Sequence, residues 1–184
     1  MISSARNDMF KFEFPRLFMP EEISKKWKPY LDRIGGSLIT EPIDIINYGI
    51  QGLSIPGISF EPEVQFDNRG NSTYVRTSKQ QRELATEKSF IVKCQAMDGW
   101  INYWMLLDCF NFYYKIDNAF LPPFPGIQFL NGEGYTMFTI EPKDCMLSSI
   151  SDLDLDYSSN TLEFQTFEIK ISYNTLETSL TINN

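Results

Sequence analysis

The clearest structural pattern in the chain lies in residues 163–173, which read EFQTFEIKISY. From Phe167 onward, apolar side chains occupy every second position and the residues between them are polar. That period of two is typical of a half-buried strand with one packed face and one wet face. A strand of this kind near the chain end commonly completes a sheet. The wet face and the edges of such a sheet favour a protein that assembles with other chains over a catalyst. We therefore expect an inter-subunit strand that carries Phe167, Ile169, Ile171 and Tyr173.

Composition predicts a folded, acidic protein. The chain has 184 residues, of which 42% are hydrophobic and 15% aromatic, and its net charge at pH 7 is −8. This length and apolar content suit one domain, or one domain with an extension. General nucleic-acid binders are basic because their affinity comes from neutralising phosphates. We therefore expect a surface that does not grip DNA, although DNA can slide past an acidic wall.

No catalytic constellation is found in the sequence. Histidine, the commonest general base and metal ligand, is absent. Neither a Gly-x-Ser-x-Gly elbow nor a phosphate-binding loop occurs. Asp152, Asp154 and Asp156 are spaced as in a calcium loop, but the glycine and the closing glutamate of such a loop are missing. We therefore expect no enzyme, no catalytic residue, no metal and no cofactor.

The cysteines indicate a reducing environment. Their number is odd and they lie far apart, at Cys94, Cys109 and Cys145. This pattern does not suit a disulfide framework. The N-terminus has no signal-peptide pattern, and no window approaches the ~18 apolar residues of a membrane helix. No membrane partner is expected.

The sequence divides into an N-terminal arm, a β domain and a C-terminal tail, at 1–40, 41–174 and 175–184. Within the arm, Pro20 and the two carboxylates that follow it predict a helix start, because both suit the first helical turn. The arm either packs on its own domain or reaches a neighbouring subunit.

Several strands are predicted in the β domain, at residues 43–50, 61–67, 87–96, 135–141 and 145–150. In the first of these, both faces are partly apolar, which is typical of a strand buried on two sides. The Pro- and Gly-rich segment 118–134 is predicted to be a loop that contains at most a short strand.

One amphipathic helix is predicted after the strand at 87–96. Asp98 is placed at its N-cap. An apolar stripe at spacings of three and four is assigned to the core, where it would cover an open sheet face. Its members are Trp100, Tyr103, Trp104, Leu107, Phe110 and Tyr114.

A long polar segment, 67–83, carries a group of cations on an otherwise acidic chain. Connections of this length are often binding loops or hairpins. We expect its cations to dock on an acidic surface of another copy, and a solvated loop is the alternative. The predicted contact residues are Arg69, Arg76, Lys79 and Arg82.

Three segments, taken in order, resemble a known family. They are LSIPG at 53–57, KSFIVKCQAMD at 88–98 leading into the helix, and LDLDYSSNTLEFQTFEI at 153–169. They are similar to the bend after the first strand, the strand–helix unit and the ending of tail tube proteins from contractile-tailed phages. The resemblance covers residues 43–174.

The resemblance implies a mainly β fold with one principal α-helix, a β-sandwich or barrel of tail-tube type, plus a partly helical N-terminal arm. It implies a structural virion protein whose hexameric rings stack into a tube for DNA ejection, with the basic segment 67–83 setting the stacking register. The expected partners are further copies and sheath or baseplate proteins, and DNA would pass through the lumen without specific binding. The expected location is the virion tail, assembled in the host cytoplasm.

Alternatives to a tube subunit stay open. The arm at 1–40 departs from a simple tube subunit, which leaves a baseplate tube-initiator of the same fold possible. A secretion-system tube protein is a second alternative. The third is a β-sandwich carbohydrate-binding module, which Trp100, Trp104 and the many carboxylates would suit.

Overall fold

The computed structural model describes residues 9–34, 39–55, 63–66, 72–75, 88–116, 120–153 and 165–180. The helices are α1 (Glu21–Ile34), α2 (Pro42–Tyr48) and α3 (Ile101–Tyr114). The strands are β1 (Phe10–Lys11), β2 (Ile50–Ser54), β3 (Glu63–Phe66), β4 (Ser72–Val75), β5 (Ser89–Gln95), β6 (Ile127–Leu130), β7 (Thr136–Lys143), β8 (Met146–Ile150), β9 (Thr166–Ser172) and β10 (Thr175–Leu180). The mainly β fold with a partly helical N-terminal arm is confirmed.

Two four-stranded antiparallel sheets carry the fold. The core sheet has the order β2-β5-β9-β8, and the flanking sheet has the order β1-β6-β7-β10. The described strands do not close into a barrel. β3 and β4 form a separate antiparallel pair, which places a strand inside the predicted polar segment 67–83.

The two sheets are joined at a shared corner. β7 of the flanking sheet continues into β8 of the core sheet through Asp144, whose φ of 51° permits the sharp bend. On the return path, β9 continues into β10, and the Asn174 N–H donates to the Lys143 carbonyl at 3.0 Å. The corner therefore holds the two sheets by continuous chain as well as by packing.

The core lies on one face of the core sheet. In the register of β5 and β9, Phe90 faces Ile171, Val92 faces Ile169 and Cys94 faces Phe167. All of these side chains are at most 1% exposed. α3 covers them with buried side chains of its own, chiefly Met105, Leu106 and Cys109. A helix over the open sheet face is thus confirmed.

The N-terminal arm contributes to the same core. Phe12 and Phe14 are buried, with ring centroids 5.3 Å apart. Phe12 also stacks against Phe124 at 5.8 Å and meets Phe90 edge-on at 5.8 Å. β1 pairs with β6. The described part of the arm therefore packs on its own domain.

The strand predicted at 43–50 is wrong, because most of this segment is the helix α2. The Asp44 carboxylate accepts hydrogen bonds from the backbone N–H groups of Glu41 and Thr40, both at 2.9 Å, and so fixes the first turn. Partial burial raises the pKa of Asp44, but these bonds and the nearby Arg16 outweigh it and hold that pKa below its usual range. The apolar residues that the prediction placed on both faces of a strand lie on the buried side of this short helix.

The start and the orientation of α3 also differ from the prediction. Asp98 begins a short 3-10 turn, and the N-cap position is Trp100, which like Gly99 has positive φ. Asn102, fully buried, holds this junction: its side chain accepts from the Met97 N–H and donates to the Gln95 carbonyl. The helix therefore begins three residues after Asp98 and presents a different face to the core.

Candidate assembly surfaces

The predicted inter-subunit strand occupies the centre of the core sheet. Its main chain is hydrogen-bonded to β5 on one side and to β8 on the other. Phe167, Ile169 and Ile171 point into the core, and Tyr173 stacks on Phe90 at 6.4 Å. The period of two identified the strand and its buried face, but it contains no information about which strands lie beside it. The role of this strand between subunits stays a prediction.

The predicted inter-ring contacts lie outside the described residues. This applies to all four cations: Arg69, Arg76, Lys79 and Arg82. Their contact with another copy stays a prediction.

The outermost described strands of the core sheet are β2 and β8. Each contains a register shift, between Ile50 and Gly52 in β2 and between Leu147 and Ser149 in β8. Bulges at sheet margins are a common way of limiting indiscriminate edge pairing. Met146, at the start of β8, is 44% exposed. These two strands are the margins of the core sheet that another chain can approach.

The solvent face of the core sheet is polar. Lys93 and Glu168 form a cross-strand ion pair at 3.2 Å. The hydroxyls of Ser148 and Ser172 lie 2.6 Å apart. Such exposed pairs add little stability, so this face is suited to water rather than to an apolar partner.

The open end of the flanking sheet, which we define as Phe10 with residues 129–138 and 179–180, carries several apolar side chains that are partly or largely exposed. Phe10, Phe129, Phe138 and Leu180 form one row across its four strands. The Phe129 and Phe138 rings are 5.9 Å apart, and the row ends at Leu180, which is 74% exposed.

The opposite face of this open end is apolar as well. Met137 points away from the row because successive strand residues alternate faces, and it is 54% exposed. Tyr135, just before β7, is 60% exposed. The turn itself is ordered by Asn131, whose side-chain oxygen accepts from the Glu133 and Tyr135 N–H groups. In the sequence, apolar residues occur here at both odd and even positions. The alternation of strand side chains does not assign such a segment to one face of a sheet.

The corner end of the flanking sheet is charged. The Lys143 ammonium lies 2.7 Å from a Glu141 oxygen and 3.6 Å from a Glu177 oxygen. The hydrogen bond to Glu141 is the main reason that the pKa of Lys143 is raised. The flanking sheet thus runs from a charged corner to an apolar open end.

The buried cysteines of the core sheet and of α3 have raised pKa values. Burial raises the pKa of the Cys94 thiol to about 12, and burial with the nearby Asp108 carboxylate raises that of Cys109 to about 12. These thiols are protonated at neutral pH and hence poor nucleophiles. Within the described ranges, no cluster of three or more potential ligands forms, and no helix is long and apolar enough to span a membrane.

The tryptophans proposed for glycan binding have different surroundings. Trp100 is half-buried, and its indole N–H donates to the Gln165 side chain at 2.9 Å. Trp104 is 45% exposed on α3 and meets Tyr103 edge-on at 5.5 Å. Glycan binding stays a hypothesis.

Comparison with known proteins finds similarity to parts of contractile injection systems. No protein-family model and no curated protein matches the sequence. A chain from the sheath–tube complex of the extracellular contractile injection system PVC in its extended state is 14% identical, with a TM-score of 0.46 over 72% of this chain and 81% of that one. A chain from the cap that terminates the anti-feeding prophage tube is 12% identical, with a TM-score of 0.46 over 72% of this chain and 80% of that one. An Hcp protein is 14% identical, with a TM-score of 0.35 over 72% of this chain and 76% of that one.

Proposed function

We propose that this protein is a structural tail tube subunit, which assembles into stacked hexameric rings that form the conduit for DNA ejection in a virion tail. The proposal is supported by the order of segments that resemble tail tube proteins, by the mainly β fold, and by two open sheets.

The observation that carries the proposal is the open end of the flanking sheet. A sheet end with apolar side chains on both faces is unfavourable in water, because each exposed apolar side chain forgoes about 1.5–3 kcal/mol of burial free energy. Leu180 lies on one face of this end and Met137 on the other. Apolar surface of this kind marks an interaction site, and a ring of identical subunits would cover both faces at once.

Main-chain pairing between copies would use the margins of the core sheet. β2 and β8 are its outermost described strands, so a copy on each side extends the sheet around a ring. β9 would then lie next to the joining strand β8. Its buried side chains Phe167, Ile169 and Ile171 would fix the position of β8 relative to the core. This arrangement satisfies edge hydrogen-bonding groups that a monomer leaves to water.

Charge fits the conduit role in the same proposal. With a net charge of −8 per subunit, an assembled tube would repel DNA phosphates over much of its surface and let DNA pass without specific contacts. The basic residues Arg69, Arg76, Lys79 and Arg82 would be reserved for acidic surfaces of the next ring.

The test is the assembly state of the purified full chain. Electron microscopy should show rings or tubes, and sedimentation velocity should show a species much larger than the 21.4 kDa monomer. A double variant, Met137→Glu with Leu180→Glu, should shift the protein towards monomer, because it places charge on both faces of the open end. Leu17→Glu is the matched control, since Leu17 is 77% exposed on a different surface.

Two results would refute the proposal. One is a wild-type protein that stays monomeric at high concentration. The other is a double variant that assembles as well as the Leu17→Glu control.

A further inference from the structure

The two most exposed methionines among the described residues lie on the surfaces through which copies are proposed to join. Met137, in the open end of the flanking sheet, is 54% exposed, and Met146, at the start of the outer strand β8, is 44% exposed. The other described methionines, which are buried or half-buried, are Met9, Met19, Met97 and Met105. Each joining surface therefore presents a thioether to solvent while the subunit is separate.

The cysteines of the chain are poor competitors for an oxidant. Peroxides react with the thiolate rather than the thiol. Cys94, Cys109 and Cys145 are at most 2% exposed, and burial raises the pKa of each thiol to about 12. A thioether needs no deprotonation, so its accessibility decides how fast it reacts. In the described part of the chain, an oxidant in solution therefore reaches Met137 and Met146 before the thiols.

We propose that Met137 and Met146 are modification sites, at which a hydroperoxide converts the separate subunit into a form that does not join other copies. A sulfur lone pair attacks the outer peroxide oxygen, so that an S–O bond forms as the O–O bond breaks. The inner oxygen leaves with the proton of the attacked oxygen, as an alcohol or, from hydrogen peroxide, as water. The sulfur loses two electrons and the peroxide gains them. The product, methionine sulfoxide, is polar, and thiol-dependent reductases return it to the thioether.

The sulfoxide at Met137 would act on the contact made by the open end. This end joins copies by covering apolar side chains, and burial of a polar group that lacks a hydrogen-bond partner is unfavourable. In the separate subunit the sulfoxide stays in water, because the side chain is more than half exposed. Oxidation should therefore weaken association and leave folding nearly unchanged.

The sulfoxide at Met146 would act on the margin of the core sheet. Met146 lies opposite Ser172 in the register of β8 and β9, and β8 is the outermost described strand on that side. A strand from another copy that pairs with β8 would place a side chain directly beside Met146, because opposite residues of paired strands are neighbours. A larger, polar side chain at this position disfavours that pairing.

This inference rests on the proposed function, because it concerns the surfaces through which copies join. It adds a chemical condition to assembly: subunits join while both thioethers are reduced, and the contacts, once formed, shield them from oxidants.

The test begins with oxidation of the full-length protein by hydrogen peroxide at neutral pH and at a concentration where copies are separate. Peptide mapping by mass spectrometry should show Met137 and Met146 oxidised at least about tenfold faster than the fully buried Met105. Sedimentation velocity should then show association weakened by at least about tenfold. Treatment with two methionine sulfoxide reductases, one for each sulfoxide epimer, should restore association.

Variants assign the effect to these two side chains. Met137→Leu with Met146→Leu removes both thioethers but keeps apolar side chains of similar volume, so its association should survive peroxide. Met97→Leu is the matched control, because Met97 is half-buried between β5 and α3, outside both joining surfaces. It should lose association on oxidation as the wild type does. Circular dichroism before and after oxidation checks that each protein stays folded.

The failure of this inference can be told apart from the failure of the proposed function. An untreated wild type that stays monomeric refutes the proposed function, and this inference with it. A wild type that assembles untreated, and equally well after both methionines are oxidised, overturns this inference alone. Equal peroxide sensitivity of the wild type and the double leucine variant also overturns it alone, because the effect would then arise at other side chains.

Discussion

The centre of the core sheet and the open end of the flanking sheet are built from similar strands but differ in what covers their apolar side chains. In β9, Phe167, Ile169 and Ile171 face α3 and the aromatic residues of the arm, and each is at most 1% exposed. In the open end, Met137 and Leu180 are more than half exposed. The first region is completed within the chain, and the second is not.

The difference separates stability from association. Apolar side chains that the chain itself covers stabilise the fold, because their burial accompanies folding. Side chains that stay in water contribute little to folding, and their burial free energy becomes available only when another molecule covers them. Substitutions in the two regions should therefore affect different measurements.

The largest effect is expected at the centre of the core sheet. Phe167→Ala removes a ring that packs edge-on against Tyr103 at 5.3 Å, and it leaves a cavity under α3. The free energy of unfolding should fall by about 3–5 kcal/mol, as measured from urea transitions monitored by circular dichroism.

The matched variant in the open end is Phe138→Ala. Phe138 is half-buried and contacts Phe129 across the strands, so its loss should cost about 1 kcal/mol or less. Equal losses for the two phenylalanines would mean that the two regions do not differ as described.

Alkaline pH should act through the buried thiols, which include Cys145 at the corner, where burial also raises the thiol pKa to about 12. Burial raises the pKa of Cys94 and Cys109 to about 12, and Asp108 adds to the shift at Cys109. An unfolded thiol titrates near about 8.5. Below that pH both states are protonated; above it the unfolded state loses protons that the folded state keeps, so stability falls from pH 8.5 towards pH 12. The expected slope is about 1.4 kcal/mol per pH unit for each thiol.

The measurement is the urea midpoint between pH 8 and about 10.5, a window that begins below the ordinary thiol pKa and extends above it. A double variant, Cys94→Ala with Cys109→Ala, should be less stable at pH 8 but should show a shallower decline. Identical declines in the wild type and the double variant would show that these thiols do not carry the pH dependence.

Patterns with one dominant period were predicted well from the sequence. β5 and β9 alternate over their whole length, and both were assigned correctly. The predictions were wrong in segments whose apolar residues do not follow a single period. At Ile43, Ile45 and Ile46 it suggested a strand buried on two faces, whereas Asp44 caps a helix there. In α3 it selected a core face that includes Trp104, Leu107 and Tyr114, whereas Met105, Leu106 and Cys109 are buried, because apolar residues occur on both sides of this helix.

The neighbours of the candidate surfaces could not be predicted, for a related reason. The sequence proposed β9 as a strand between subunits, which stays a prediction, and order along the chain does not determine order in a sheet. β9 is central only because β8, which precedes it, and β5, from far earlier, pair on its two sides. To predict the open end, one must know that β10 pairs with β7, which brings Leu180 next to Phe138.

The smallest effect on stability, and the most informative contrast, is expected at Leu180. Its side chain is 74% exposed at the end of β10, so Leu180→Ser should change the free energy of unfolding by less than about 0.5 kcal/mol. If copies cover this side chain, the substitution removes about 1.5–3 kcal/mol of burial from each contact. Self-association should then weaken by roughly tenfold or more, measured by sedimentation equilibrium.

Leu17→Ser provides the reference, since it replaces an equally exposed leucine in the 3-10 turn of the arm (Arg16–Phe18), outside the residues that define the open end. It should leave both stability and association unchanged. A variant at Leu180 that is strongly destabilised as a monomer would place this residue in the folding core. A variant that associates as tightly as Leu17→Ser would exclude the open end from the contact between copies, because an exposed apolar side chain that neither folding nor assembly covers has no role in either.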